Sequence, residues 1–213
     1  MKKPYTPRQK LLKLMYPLWM FYARLTGTNS GIIENKKKMT PIEPFYDLSI
    51  QLNNGEELHF KNLEGKNILL VNTASDCGYT DQYAALQKLS EKYKNDLVVI
   101  GFPANDFKDQ EKGNDQEIAQ FCQLNFNLKF PLAKKSRVKK GTTQNEVFKW
   151  LTHKKHNGWN DKQPSWNFCK YLVNKDGTLT HYFGSSISPL DKKLTEAIQQ
   201  STTVLKRFKD EIS

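Results

Sequence analysis

Two continuous apolar runs, Asn67–Asn72 (NILLVN) and Leu97–Phe102 (LVVIGF), flank an amphipathic stretch, Gln82–Tyr93, whose Tyr83, Leu86, Leu89 and Tyr93 recur at helical spacing. An apolar run without alternation is the form of a strand buried on both faces, and two such strands joined by a helix must cross over to lie parallel. The segment therefore predicts a βαβ unit and an α/β domain.

Around this unit, Phe45–Ile50 and Glu57–Phe60 read as a hairpin about Asn53-Asn54-Gly55, and Tyr171–Asn174 and Thr178–Phe183 as another about Lys175-Asp176-Gly177. Helices are expected over Gln116–Leu124, over Gln144–Thr152 with Thr142 or Thr143 as cap, and over Leu190–Phe208. No internal repeat is visible.

Charge divides the chain. The net charge is +11, and residues 1–40 hold nine basic side chains against Glu34 alone, leaving 24 basic and 21 acidic residues beyond. We thus expect a basic extension, 1–40, before a near-neutral domain, 41–213. A nucleic-acid reader would carry its charge on the folded part, so no nucleic-acid partner is expected. In the leader, Leu14–Ala23 is uncharged, only ten residues long and interrupted by Pro17, too short to span a bilayer. Three readings stay open. It is a secretory signal with a poor cleavage site, an interfacial helix contacting a membrane through residues 10–25 with Lys10, Lys13 and Arg24 snorkelling, or a packed or disordered extension. Met39 is an alternative start, and Lys36–Lys38 reads as a solvated linker.

None of the three cysteines has CxxC or metal-ligand spacing, which argues against zinc, a disulfide scaffold and a dithiol oxidoreductase. Cys77 stands at the carboxyl end of the first apolar strand, just before a helix, where N–H groups and the helix dipole favour a thiolate. A lone cysteine is otherwise more often an inert core residue.

Three blocks carry more: Asn72-Thr-Ala-Ser-Asp-Cys-Gly-Tyr-Thr80, Gly101-Phe-Pro-Ala-Asn-Asp-Phe-Lys-Asp-Gln-Glu111 and Trp166-Asn-Phe-Cys-Lys-Tyr-Leu172. In residues, order and spacing they resemble the signature segments of the glutathione peroxidase family, from about Phe45 to the last helix. The resemblance implies a thioredoxin-like fold, a central mixed sheet flanked by helices, and reduction of hydrogen peroxide and organic or lipid hydroperoxides. It places the peroxidatic thiol at Cys77 and its polar partners at Gln110, Trp166 and Asn167. Amide and indole N–H groups steady a thiolate without a competing charge. It implies that Cys122, in Phe121-Cys122, resolves the Cys77 sulfenic acid into a disulfide. Thioredoxin, or else glutathione, then returns the electrons with no metal or organic cofactor. Cys169 is a bystander. Asp106, Ala104, Lys112 and Thr73 depart from the family pattern, and Asp106 would raise the Cys77 pKa if it faced the thiol. The short stretch from Lys140 to Trp166 lacks the insertion of tetrameric members, implying a monomer or weak dimer. The expected location is cytoplasmic or membrane-associated, or exported if 1–25 is a signal. The alternatives are a thiol–disulfide oxidoreductase on the same fold and a membrane-tethered, non-catalytic binding protein.

Overall fold

The computed structural model describes residues 6–26 and 31–200, without the side chains of 13, 19, 20 and 23–25. A leader helix α1 (Pro7–Thr26) precedes a short strand β1 (Ile32–Glu34) and a hairpin, β2 (Ser49–Gln51) and β3 (Glu57–His59). The crossover unit follows as β4 (Asn67–Thr73), α2 (Gln82–Lys92) and β5 (Leu97–Pro103). Then come α3 (Asp115–Phe126), α4 (Glu146–Thr152), α5 (Lys154–Asn157), β6 (Lys170–Val173) and β7 (Leu179–Phe183), and residues 192–200 are helical.

The main sheet runs β1-β7-β6-β4-β5, with β4 and β5 parallel and the other pairs antiparallel. All seven β4 residues are buried, and the two-residue period divides them between two cores. Leu69, Val71 and Val99 face α2, α3 and the 192–200 helix, whereas Ile68, Leu70, Ile100 and Phe102 face Phe148 and Trp150 of α4. Each fully buried Leu, Ile or Val side chain stabilises the fold by about 1.5–3 kcal/mol. Gly101 lets the 130–133 segment approach β5, since a Cβ there would meet Leu132 at 2.5 Å.

Several expectations need correction. Phe45–Asp47 is a 3-10 turn, not strand, because Phe45 inserts between Phe60 and Trp150 with ring centroids at 4.6 and 4.9 Å. The cap of α4 is Asn145, whose side chain accepts from Val147 N at 3.0 Å and Phe148 N at 3.3 Å, rather than Thr142 or Thr143. Leader residues Ile32–Glu34, expected to lie outside the fold, pair with Phe183–His181 of β7. Of the helix expected over Leu190–Phe208, residues beyond 200 lie outside the described ones, as do the side chains of Lys13 and Arg24.

Candidate active site

The sharp connection between β4 and α2 carries Cys77. Thr80 Oγ1 accepts from Cys77 N at 3.0 Å and lies 3.0 Å from the Ala74 carbonyl, to which it can donate, while Tyr79 N donates to Cys77 Sγ at 3.4 Å. Cys77 is only 3% exposed. Burial pushes its thiol up to about 11; the Tyr79 N–H and the Asn167 and Trp166 side chains pull it down, and Asp76 pushes it up. Burial thus opposes the lowering expected from the helix terminus. Helix α2 begins only at Gln82, beyond a turn, so desolvation outweighs its dipole at Cys77.

Trp166 and Asn167 come to the thiol from the segment before β6, and Gln110 stands behind them. Asn167 Nδ2 donates to Gln110 Oε1 at 2.8 Å, and Asn167 Oδ1 is buried without a hydrogen-bond partner among the described residues. Gln110 thus touches the site through Asn167. Both donor segments bend through left-handed residues, Lys108 and Asp109 (φ 51° and 52°) and Phe168 (φ 65°), a backbone cost that functional sites commonly carry.

Asn72, the sixth residue of β4, fixes one of these bends. Its Nδ2 donates to the Trp166 carbonyl at 2.9 Å, its Oδ1 accepts from Cys169 N at 3.0 Å, and its carbonyl accepts from Phe168 N at 2.6 Å. A buried amide ending an apolar strand was the signal for this role, which the sequence reading left unassigned.

Glu111 was likewise unassigned. Its carboxyl holds the Cys77 loop at Ser75, accepting from N at 2.9 Å and from Oγ at 2.5 Å. Burial pushes Glu111 from its ordinary 4.5 up to about 7, against the pull of the Ser75 donors. The folded form therefore holds a proton that the unfolded form releases, so its stabilisation is full below about 4.5 and lost as pH rises through 7. Glu111→Gln keeps an acceptor and a donor for Ser75. It is expected to remove a fall in stability of up to about 3 kcal/mol across this window, checked by urea unfolding at about pH 5 and pH 8.

Asp106 does not face the thiol. Its Oδ2 accepts from Val138 N at 2.6 Å and its Oδ1 pairs with Arg137 Nε at 3.6 Å, so its charge is spent on the 137–139 loop. Cys122, on α3, is buried in the same core as Cys77 and lies against Tyr83; burial pushes its thiol up to about 12. Cys169 lies in the other core, its sulfur 3.2 Å from the Tyr182 hydroxyl and 3.3 Å from Ser185 Oγ. All three thiols are free. Among the described residues no cluster of His, Cys, Asp and Glu can hold a metal ion, and no helix is long and apolar enough to cross a membrane.

A family model for glutathione peroxidase matches residues 45–152, which include the Cys77 loop, Gln110 and Cys122. The chain belongs to the glutathione peroxidase family. It is 39% identical over 159 residues to glutathione peroxidase-like peroxiredoxin 2 of Saccharomyces cerevisiae, covering 73% of this chain and 98% of that protein. With the glutathione peroxidase homolog BsaA of Staphylococcus epidermidis it shares 39% over 149 residues, 70% of this chain and 93% of the other. The crystal structure of Trgpx in apo form superposes with a TM-score of 0.56 at 30% identity, over 74% and 97% of the two chains. A thioredoxin-family thiol:disulfide interchange protein of Chlorobium tepidum, 11% identical with TM-score 0.52, covers 76% of this chain and 97% of its own and shares the fold. The chain is accordingly a thioredoxin-fold, peroxide-reducing thiol peroxidase, as the sequence blocks implied. Its leader helix lies outside the segment that the family model matches.

Proposed function

We propose that Cys77 is the peroxidatic thiol, that Trp166, Asn167 and Gln110 are its polar partners and that Cys122 resolves it. The observation carrying this reading is a buried thiol that accepts from Tyr79 N and is pulled toward the thiolate by the uncharged Asn167 and Trp166 side chains, with Gln110 holding Asn167. The Cys77 thiolate attacks one peroxide oxygen, the O–O bond breaks, and the departing oxygen takes a proton as alcohol or water. Cys77 is left as a sulfenic acid. The Cys122 thiolate then attacks that sulfur, water leaves, and a disulfide forms. A thioredoxin-like dithiol, or else glutathione, reduces it, so the cycle needs a thiol co-substrate and no prosthetic group.

The second step needs motion. Cys122 is 1% exposed, and its carbonyl accepts from Asn127 N in the last turn of α3, which ends on left-handed Asn127. Opening this last turn frees the thiol. The peroxidase domain takes in residues 41–213 together with strand β1 of the 1–40 extension, acting as a monomer or weak dimer in the cytoplasm with residues 10–25 in peripheral contact with membrane.

Stopped-flow mixing of reduced protein with hydrogen peroxide tests the reading. Wild type is expected to end as a Cys77–Cys122 disulfide. Cys122→Ser should stop at a sulfenic acid trapped by a cyclic dione, with thioredoxin-dependent turnover reduced at least about 10²-fold. A Cys122→Ser protein that cycles normally with thioredoxin defeats the resolving role. A wild type that forms neither species defeats the peroxidatic assignment.

A further inference from the structure

Helix α1 lies over the Cys77 loop with its inner side. Gln9 Nε2 donates to the Ser75 carbonyl at 3.0 Å, Arg8 pairs with Asp76 at 3.0 Å, and the Tyr16 ring packs edge-on against Tyr79 with centroids 6.1 Å apart. Its outer side is apolar. Leu11, Leu14, Met15, Leu18, Phe21 and Tyr22 fall at helical spacing on one stripe, all more than half exposed, Leu14 reaching 77% and Leu18 69%. An apolar stripe of that length on a water-facing helix marks a contact surface.

The stripe continues into a cleft. Met15, Leu18 and Tyr22 also line a cavity of about 840 Å³ together with Gly78, Lys108, Gln110 and Trp166. That volume lies within the ~300–1,000 Å³ of small-molecule sites. A largely apolar surface thus runs from the outside of α1 to Trp166, with Lys108 and Gln110 at its inner end. Hydrogen peroxide needs no such wall.

Resting on the peroxidase reading of Cys77, we propose that α1 is a lipid-docking element and that the cleft beneath it is a subsite for the acyl tail of a hydroperoxide resident in an anionic bilayer. Charge selects this occupant. The first 40 residues carry nine basic side chains against one acid, and Lys10 lies exposed on the same helix. A basic helix with an apolar stripe suits anionic headgroups over acyl chains, whereas a second copy would bring two such leaders together.

The full chain is tested on phosphatidylcholine hydroperoxide in vesicles containing phosphatidylserine, and on hydrogen peroxide in solution with the same thiol reductant. Leu11→Glu/Leu14→Glu charges the stripe without altering the cleft wall. We expect the ratio of vesicle rate to hydrogen peroxide rate to fall at least about tenfold in this variant, and likewise for wild type when phosphatidylserine is omitted. An unchanged ratio overturns the proposal. A wild-type dimer in sedimentation that the double variant dissolves also overturns it, by giving the stripe to a second copy. Co-sedimentation of Cys77→Ser with the vesicles reads docking without turnover, which separates a failure of docking from a failure of the peroxidase chemistry.

Discussion

Cys77→Ser is expected to lower the second-order rate of hydroperoxide reduction by at least about 10³-fold, about 4 kcal/mol of transition-state stabilisation. A serine oxygen neither ionises near neutral pH nor accepts the peroxide oxygen as sulfur does. The substitution is nearly isosteric, and the Tyr79 N–H keeps an acceptor, so the melting temperature should stay within a few degrees of wild type. Stopped-flow peroxide consumption beside a thermal melt checks both halves. The pH profile carries a second expectation. With the resting thiol near 11, the thiolate fraction grows about tenfold per pH unit, so alkylation of the closed form should keep rising with pH past 9. Opening the loop to water removes the desolvation while the indole and amide donors remain, and a form held open should alkylate at lower pH. A plateau near pH 8 in the resting enzyme would contradict burial as the dominant influence.

The second large effect is expected at Asn72, 94 residues before Trp166 in the chain and hydrogen-bonded to it. Asn72→Ala leaves the Cys169 N–H and the Trp166 carbonyl without the amide that pairs them. Each buried unpaired group costs about 1–3 kcal/mol, so a total loss of about 3 kcal/mol is expected in urea unfolding. Because the same amide sets the bend that aims Trp166 and Asn167, kcat/KM should fall about 10²-fold, as for a misplacement near 1 Å. Asn72→Asp keeps the acceptor for Cys169 N and loses the donor to Trp166, and should fall between the two. A stability loss without a rate loss, measured where the variant is fully folded, would make Asn72 a structural residue only. If Asn72 is a positioning residue, the loss should appear in the rate of sulfenic acid formation and leave the alkylation pH profile of Cys77 in place.

The crossover unit was legible because both of its strands are buried on both faces, which leaves continuous apolar runs that no surface segment would show. The blocks around Cys77, Gln110 and Trp166 were legible as motifs for a related reason: each is local in sequence. What stayed hidden depends on partners far along the chain. Asn72 and Glu111 stood inside the quoted blocks, yet their roles exist only through contacts with residues 166–169 and with Ser75. Local placement describes the helix dipole at the thiol, whereas the burial that pushes it up is set by the whole packed site. Asp106 reads as a threat to the thiolate until the Val138 N–H and Arg137 are seen to take up its charge. Strand β1, three residues beside a lysine run, is too short for any periodicity to register.

That short strand decides what a chain begun at Met39 would look like. Residues 32–34 are hydrogen-bonded along β7, opposite Phe183, Tyr182 and His181. Without them the outer edge of β7 would face water as a row of open amides and carbonyls, and an uncovered edge is a template on which another chain can add a strand. The basic leader is thus the selvedge of the sheet as well as the cover of the thiol. Shortening the protein to its family core would exchange a finished border for one prone to unplanned pairing.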